Sequence, residues 1–137
     1  MITIGIIGSN GQVGTETCLY LSLMDNVEVI PISRTEFGAA FLNSCGIKCR
    51  IGNISNPEEA KLLLKDCDLI ADFTYLKGLP SEIKESTKRI ITNAIKYSSP
   101  DAKFVYVSSM MAYGMGKDNV AFKNYLFARS VYGAMKR

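Results

Sequence analysis

The chain has 137 residues, 47% of them hydrophobic, with 16 basic and 13 acidic side chains and a net charge of +3. That is enough apolar material for a single domain with its own core, with no need of disulfide or metal staples. Charges of both signs are interspersed, which argues against a nucleic-acid tail or a polybasic membrane anchor; no apolar run approaches the ~18 residues of a membrane span and the N-terminus shows no signal-peptide pattern, so a soluble, cytoplasmic protein is expected.

Ile2 to Ile7 is an unbroken run rich in β-branched residues and reads as a buried strand. Gly8, Gly11 and Gly14 follow it directly. Val13, Thr17, Tyr20, Leu21 and Met24 then recur at helical spacing and predict a helix with that face inward, closed by Asp25 and Asn26. Val27 to Ile32 is a second strand, and Ile47 to Ile51 a shorter third. Asn56 as N-cap, Pro57 in the first helical position and Glu58 and Glu59 against the helix dipole mark a helix start. Its buried face is Ala60, Leu63, Leu64 and Cys67. Leu69 to Thr74 is the fourth strand. Pro80 opens a helix with Ile83, Thr87, Ile90, Ile91, Ala94 and Ile95 on one face, and Phe104 to Val107 is the fifth strand.

This alternation predicts an α/β fold of Rossmann type, a doubly wound parallel sheet over residues 1–137. Right-handed crossovers give the strand order 3-2-1-4-5. Ligands in such sheets sit beyond the carboxyl ends of the strands, at the switch between strands one and four. The loops at Gly8, Arg34, Thr74 and Ser109 converge there. Cys18, Cys45, Cys49 and Cys67 include no Cys-x-x-Cys pair and the chain has no His. They are read as reduced thiols of a cytoplasmic protein, with no metal site.

The glycine loop is the first feature with chemical content. Between a strand and a helix, Gly8, Asn10, Gly11, Gln12, Val13 and Gly14 form a turn in which small residues let the backbone approach a diphosphate, whose charge meets free N–H groups of the helix. The bland alternative is a strand-to-helix turn with no ligand. ATP hydrolysis is not expected, because Thr15 and Glu16 follow Gly14 where a P-loop has Lys and then Ser or Thr. At the end of strand two stand Ser33 and Arg34, where NAD-preferring sites carry an acidic residue. A guanidinium binds a 2′-phosphate through charge-assisted hydrogen bonds, so NADP(H) is favoured over NAD(H). Alternatively Arg34 is a solvated charge with Glu36 as its neighbour.

Near the C-terminal end, Tyr132 and Lys136 are four residues apart, which on a helix puts both on one face. The ammonium then favours phenolate and draws the phenol pKa down from ~10 towards the working pH of a general acid/base. Chance readily supplies such a pair, and Tyr113 and Lys117 form another. Gly114 and Gly116 make that one a loop, so Tyr132 and Lys136 are preferred. Ser109, at the end of strand five, offers a hydroxyl to a substrate oxygen; a backbone-capping Ser is the plainer alternative.

The combination of Gly8-x-x-Gly11-x-x-Gly14, Gly52-Asn53-Ile54, Val107-Ser108-Ser109 through Tyr113-Gly114, and Tyr132-Gly133-x-x-Lys136 resembles the extended short-chain dehydrogenase/reductase family. Within it, the chain is similar to the NAD-dependent epimerase/dehydratase group typified by UDP-galactose 4-epimerase. The resemblance implies Tyr132 as acid/base, Lys136 as its pKa-lowering and ribose-binding partner, and Ser109 as the polarising hydroxyl. It implies that Asn53 and Ile54 flank the adenine, and that Phe73, Thr74 and Lys77 line the nicotinamide ribose and diphosphate. Asn53 stands where the family usually has Asp, Thr74 and Tyr75 replace customary small residues, and no proline precedes Tyr132 as is usual. The resemblance spans the whole chain but only the N-terminal half or so of a typical member, which implies a longer protein with a substrate lobe and leaves this portion alone short of a full active site.

The implied reaction is hydride transfer on a small-molecule substrate, a nucleotide-activated sugar, by an epimerase, dehydratase or reductase, with a homodimer compatible with the full-length form. Two alternatives stay open: a non-catalytic NADP(H)-binding sensor, and a reductase of small carbonyl compounds.

Overall fold

A computed structural model describes residues 1–108. Five strands, β1 (Ile2–Ile7), β2 (Val27–Ser33), β3 (Arg50–Ile51), β4 (Leu69–Asp72) and β5 (Lys103–Tyr106), alternate with four helices, α1 (Gln12–Leu21), α2 (Glu36–Ser44), α3 (Pro57–Leu64) and α4 (Pro80–Tyr97). All pairings are parallel and the order is β3-β2-β1-β4-β5, as expected from the alternation of elements. β1 is central: Gly5 pairs with Ile30 on one side and Ile70 on the other. Ser109, Tyr132 and Lys136, with the rival pair Tyr113 and Lys117, lie outside the described residues.

Successive strand residues point to opposite faces of the sheet, and the core divides accordingly. Ile7, Ile30, Ile32 and Ile70 pack with Ala60, Leu63 and Leu64 of α3 and Ile90 and Ala94 of α4. Ile6 and Ala71 pack with Cys18 of α1 and Ala39 and Leu42 of α2. A Cβ on Gly5 would lie 2.8 Å from the Cys67 sulfur, so the missing side chain lets the segment after α3 settle on the middle of the sheet.

α3 forms as its sequence signals require. Asn56 Oδ1 accepts from the N–H groups of Glu58 and Glu59, Pro57 takes the first turn, and Ala60, Leu63 and Leu64 are buried; Cys67 is buried too but lies past the helix, which ends at Leu64.

α1 differs from expectation. Its buried residues are Gly14 and Cys18, whereas Val13, Tyr20 and Met24 are exposed. Gly14 must face the β1 carboxyl end, where there is no room for a side chain, and that contact turns the helix so that position 18 follows it inward. The helix also ends at Leu21, short of Met24. On α4, Ile95 is exposed, and buried Asn93 takes a core position that the apolar pattern does not reveal.

α2 was not anticipated. Thr35 caps it by accepting the Gly38 N–H, and Ala39 and Leu42 are its buried residues. β3 is two residues long rather than five; Ile47 and Cys49 are buried, but precede the ladder. β4 ends at Asp72, before Thr74. No helix among the described residues is long and apolar enough to cross a membrane, and no three His, Cys, Asp or Glu side chains gather there into a metal-binding group.

All four cysteines are free thiols, and Cys45 is the exposed one. Burial, with the nearby Cys49 adding to it, pushes the Cys18 thiol from an ordinary 9.0 up to about 12. Burial likewise raises Cys67 to about 11 and raises Cys49. A folded-state pKa above the unfolded one means stability that is whole below pH ~9 and lost as pH rises through the folded values. Chemical denaturation should therefore show falling stability above pH ~9, and replacing Cys67 with Ala should flatten that alkaline limb. Iodoacetamide labelling of the native chain at neutral pH should modify Cys45 first, with Cys18 and Cys67 reacting only on unfolding. Asn56→Ala, which removes the α3 cap, should cost about 1 kcal/mol in urea unfolding.

Candidate functional site

The carboxyl ends of the strands open into a groove of about 810 Å³. Its floor and walls come from Gly8, Asn10, Gly11 and Gln12 after β1, Arg34 after β2, Gly52 to Ser55 after β3, and Phe73 to Lys77 after β4. α4 closes the remaining side with Glu82, Ile83, Ser86, Arg89 and Ile90, a stripe at three- and four-residue spacing.

Gly8 takes φ +77°, a conformation that favours glycine, and a Cβ there would lie 2.9 Å from the Phe73 carbonyl carbon and the Thr74 nitrogen. The loops after β1 and β4 therefore touch backbone to backbone. A Cβ on Gly14 would overlap the Gly8 carbonyl oxygen, so α1 can start this close only with glycine there. Gly8 O accepts the Gly11 N–H at 3.1 Å, and Gly11 O accepts the Thr15 N–H at 2.8 Å. Thr15 Oγ1 donates to Ser9 O at 2.8 Å, and the fully buried Ser9 hydroxyl donates to Ile32 O at 3.0 Å, tying the turn to β2.

The electrostatics of that turn favour an anion. Gly11 is the N-cap of α1 and supplies no side-chain acceptor, and the first turn carries no acidic residue. The N–H groups there keep the positive end of the helix dipole uncompensated. α3, by contrast, has Asn56, Glu58 and Glu59 at its start. Two ion pairs form among the described residues, Arg50 with Asp66 and Arg89 with Glu85, and neither involves Arg34.

Of the residues expected from the sequence, Gly8, Asn10, Gly11, Gln12, Arg34, Asn53, Ile54, Phe73, Thr74 and Lys77 come together around the groove. Val13, Gly14 and Ser33 do not line it: Val13 is exposed, Gly14 is buried under the turn, and the Ser33 hydroxyl donates to Thr35 O at 3.0 Å. Sequence reasoning missed Ser9 and Thr15, whose hydroxyls brace the turn, and Ser86 and Arg89 of α4, which line the groove beside Ile83 and Ile90 of the expected apolar face. Asp72, at the tip of β4, is fully buried; its Oδ1 accepts the Thr74 N–H at 2.8 Å, while Oδ2 has no hydrogen-bond partner among the described residues.

Residues 4–137 match the model of the NAD dependent epimerase/dehydratase family. The chain belongs to that family. Its fold is shared with the UDP-N-acetylglucosamine 4-epimerase of Bacillus cereus at 17% identity and a TM-score of 0.73, over 99% of this chain and 51% of that one. The UDP-Glc/GlcNAc 4-epimerase of Campylobacter jejuni aligns at 18% identity and a TM-score of 0.75, over 99% of this chain and 46% of the other. The UDP-glucuronic acid 4-epimerase of Bacillus cereus, solved in complex with NAD, gives 18% and 0.73, over 98% and 49%. At such identities the likeness is one of fold. This epimerase/dehydratase-family chain thus spans about half the length of these solved structures. No curated protein sequence matches it.

In the family chain the Gly14 contact carries a direct consequence. Gly14→Ala would force a methyl group against backbone that cannot swing aside. It should lower stability by about 1–3 kcal/mol and displace the start of α1, read as a reduced melting temperature.

Proposed function

We propose that residues 1–137 are the dinucleotide-binding domain of an epimerase, dehydratase or reductase that works by hydride transfer on a nucleotide-activated sugar, with NADP(H) favoured over NAD(H). The observation that carries this reading is the glycine-floored groove, in a chain of the epimerase/dehydratase family, with an undecorated helix N-terminus and Arg34 on its wall. The residues present fit a dinucleotide. The Gly8–Gly11 turn leaves the backbone bare where a diphosphate would lie, and the N–H groups of α1 supply hydrogen bonds without an ammonium or metal. Arg34 and Lys77 add positive charge in the same groove, which suits a ligand with several phosphates. Asn53 and Ile54 would flank the adenine, and Phe73 and Thr74 the nicotinamide half.

A bound nicotinamide supplies hydride uptake and return. The chain's own contribution is to hold and move a proton and to orient the substrate. Tyr132 is assigned as general acid/base at its phenol oxygen, Lys136 as the ammonium that favours phenolate, and Ser109 as the hydroxyl that donates to the substrate oxygen.

Calorimetric titration should show NADPH binding more tightly than NADH. Arg34→Ala should weaken NADPH roughly tenfold or more while leaving NADH within about twofold, since the lost contact is charge-assisted. Tighter NADH binding by the unaltered chain would refute the assignment of Arg34. In the full-length protein, Tyr132→Phe should cut turnover by roughly 10²–10⁴ with cofactor affinity retained. Turnover that survives the change removes Tyr132 from the chemistry and favours the binding-module alternative.

A further inference from the structure

The wall of the groove formed by Gly52, Asn53 and Ile54 is weakly tied to the sheet. It follows β3, the two-residue edge strand, and its backbone link to the neighbouring strand is the bond from Gly52 N–H to Ser33 O at 2.9 Å. A segment with so short a ladder opens readily unless side chains hold it. Two do. Glu59, in the first turn of α3, accepts the Asn53 N–H on Oε2 at 2.7 Å. Asn93 of α4, 7% exposed, donates from Nδ2 to Ile54 O at 2.8 Å across 39 residues of sequence.

The geometry points to Glu59 and Asn93 as positioning residues that hold the Gly52–Ile54 wall in its cofactor-ready shape, one acting on each side of the Asn53–Ile54 peptide. This rests on the dinucleotide reading of the groove. The first bond is charge-assisted and short, and Gly52 makes it possible: a Cβ there would lie 3.0 Å from Glu59 Oε2 and 2.9 Å from Leu63 Cδ1. The second satisfies a carbonyl on a residue whose side chain belongs to the core, and it explains why an amide occupies the buried face of α4. Asn53 Oδ1 meanwhile accepts the Ser55 N–H at 3.0 Å, so the wall is folded into a local turn that the two helices clamp. A preformed wall removes ordering cost from binding, and that gain should fall on the adenosine half of the ligand alone.

The test measures affinity for NADPH, adenosine 2′,5′-bisphosphate and nicotinamide mononucleotide in Glu59→Ala, Glu59→Gln and Glu58→Ala. Amide hydrogen exchange at Asn53 is followed in each ligand-free protein. Glu59→Ala should weaken NADPH and the bisphosphate by the same factor, roughly tenfold, leave the mononucleotide unchanged and accelerate exchange at Asn53. Glu59→Gln keeps an acceptor oxygen and should restore most of the loss. Glu58→Ala removes an equivalent charge from the same helix turn and should bind like the unaltered chain. Asn93→Asp sets an acceptor against the Ile54 carbonyl and should reproduce the Glu59→Ala pattern; if it does not fold, the Glu59 series decides alone. Unchanged bisphosphate affinity in Glu59→Ala, or an equal loss for both halves, overturns the positioning role while the dinucleotide reading stands. Failure of the unaltered chain to bind NADPH or NADH overturns that reading and this inference with it.

Discussion

The start of α1 rests on the Gly8 carbonyl with no side chain between them, and much of the site depends on that approach. It turns α1 so that Cys18 reaches the core, brings the N–H end of the helix to the mouth of the groove, and leaves the carbonyl of Gly8 free to close the turn on Gly11. Gly8 makes the matching contact with the backbone of Phe73 and Thr74, so the loops after the two central strands form one continuous floor. The chemistry of the groove is thus set by main-chain atoms first. Side chains such as Arg34, Lys77 and Arg89 add charge at its walls.

The sheet divides the labour between its faces. α1 and α2 pack on one, and α1 delivers the positive end of its dipole. α3 and α4 pack on the other, and besides burying Leu63, Leu64 and Ile90 they reach the groove with polar groups, Glu59 and Asn93 to its backbone wall and Ser86 and Arg89 to its lining. A buried polar residue such as Asn93 would be costly among apolar neighbours without a partner; the Ile54 carbonyl provides one.

Most of the architecture was legible because local signals and the global fold agree. The β1 run, the cap and proline of α3 and the glycine spacing each have one good structural solution, and strand order follows from handed crossovers. The failures have physical causes. α2 was hidden by Gly38, a poor helix former placed where Thr35 caps it. The face of α1 was misjudged because Val13 and Tyr20 look like core residues, whereas the decisive inward residue, Gly14, has no hydrophobicity to report. Ser9 and Asn93 act through bonds to backbone groups distant in sequence, and Thr15 and Glu59 through bonds to irregular backbone six residues away, for neither of which a single sequence carries a periodic signal. Val13 and Gly14 belong to the glycine motif yet do not line the groove, since a motif marks the segment and not each atom's direction.

The brevity of β3 has a further bearing on behaviour in solution. An outer strand with a long row of unpaired amides and carbonyls is a template on which another chain can add itself. Here that side of the sheet ends in a two-residue stub, entered through a chain that turns inward at Ile47 and Cys49 and left through a turn locked by Asn53 and Ser55. The economy of strand that leaves the Gly52–Ile54 wall to bonds from α3 and α4 also denies a foreign strand any length to pair with, so this margin of the sheet is guarded against edge-to-edge association.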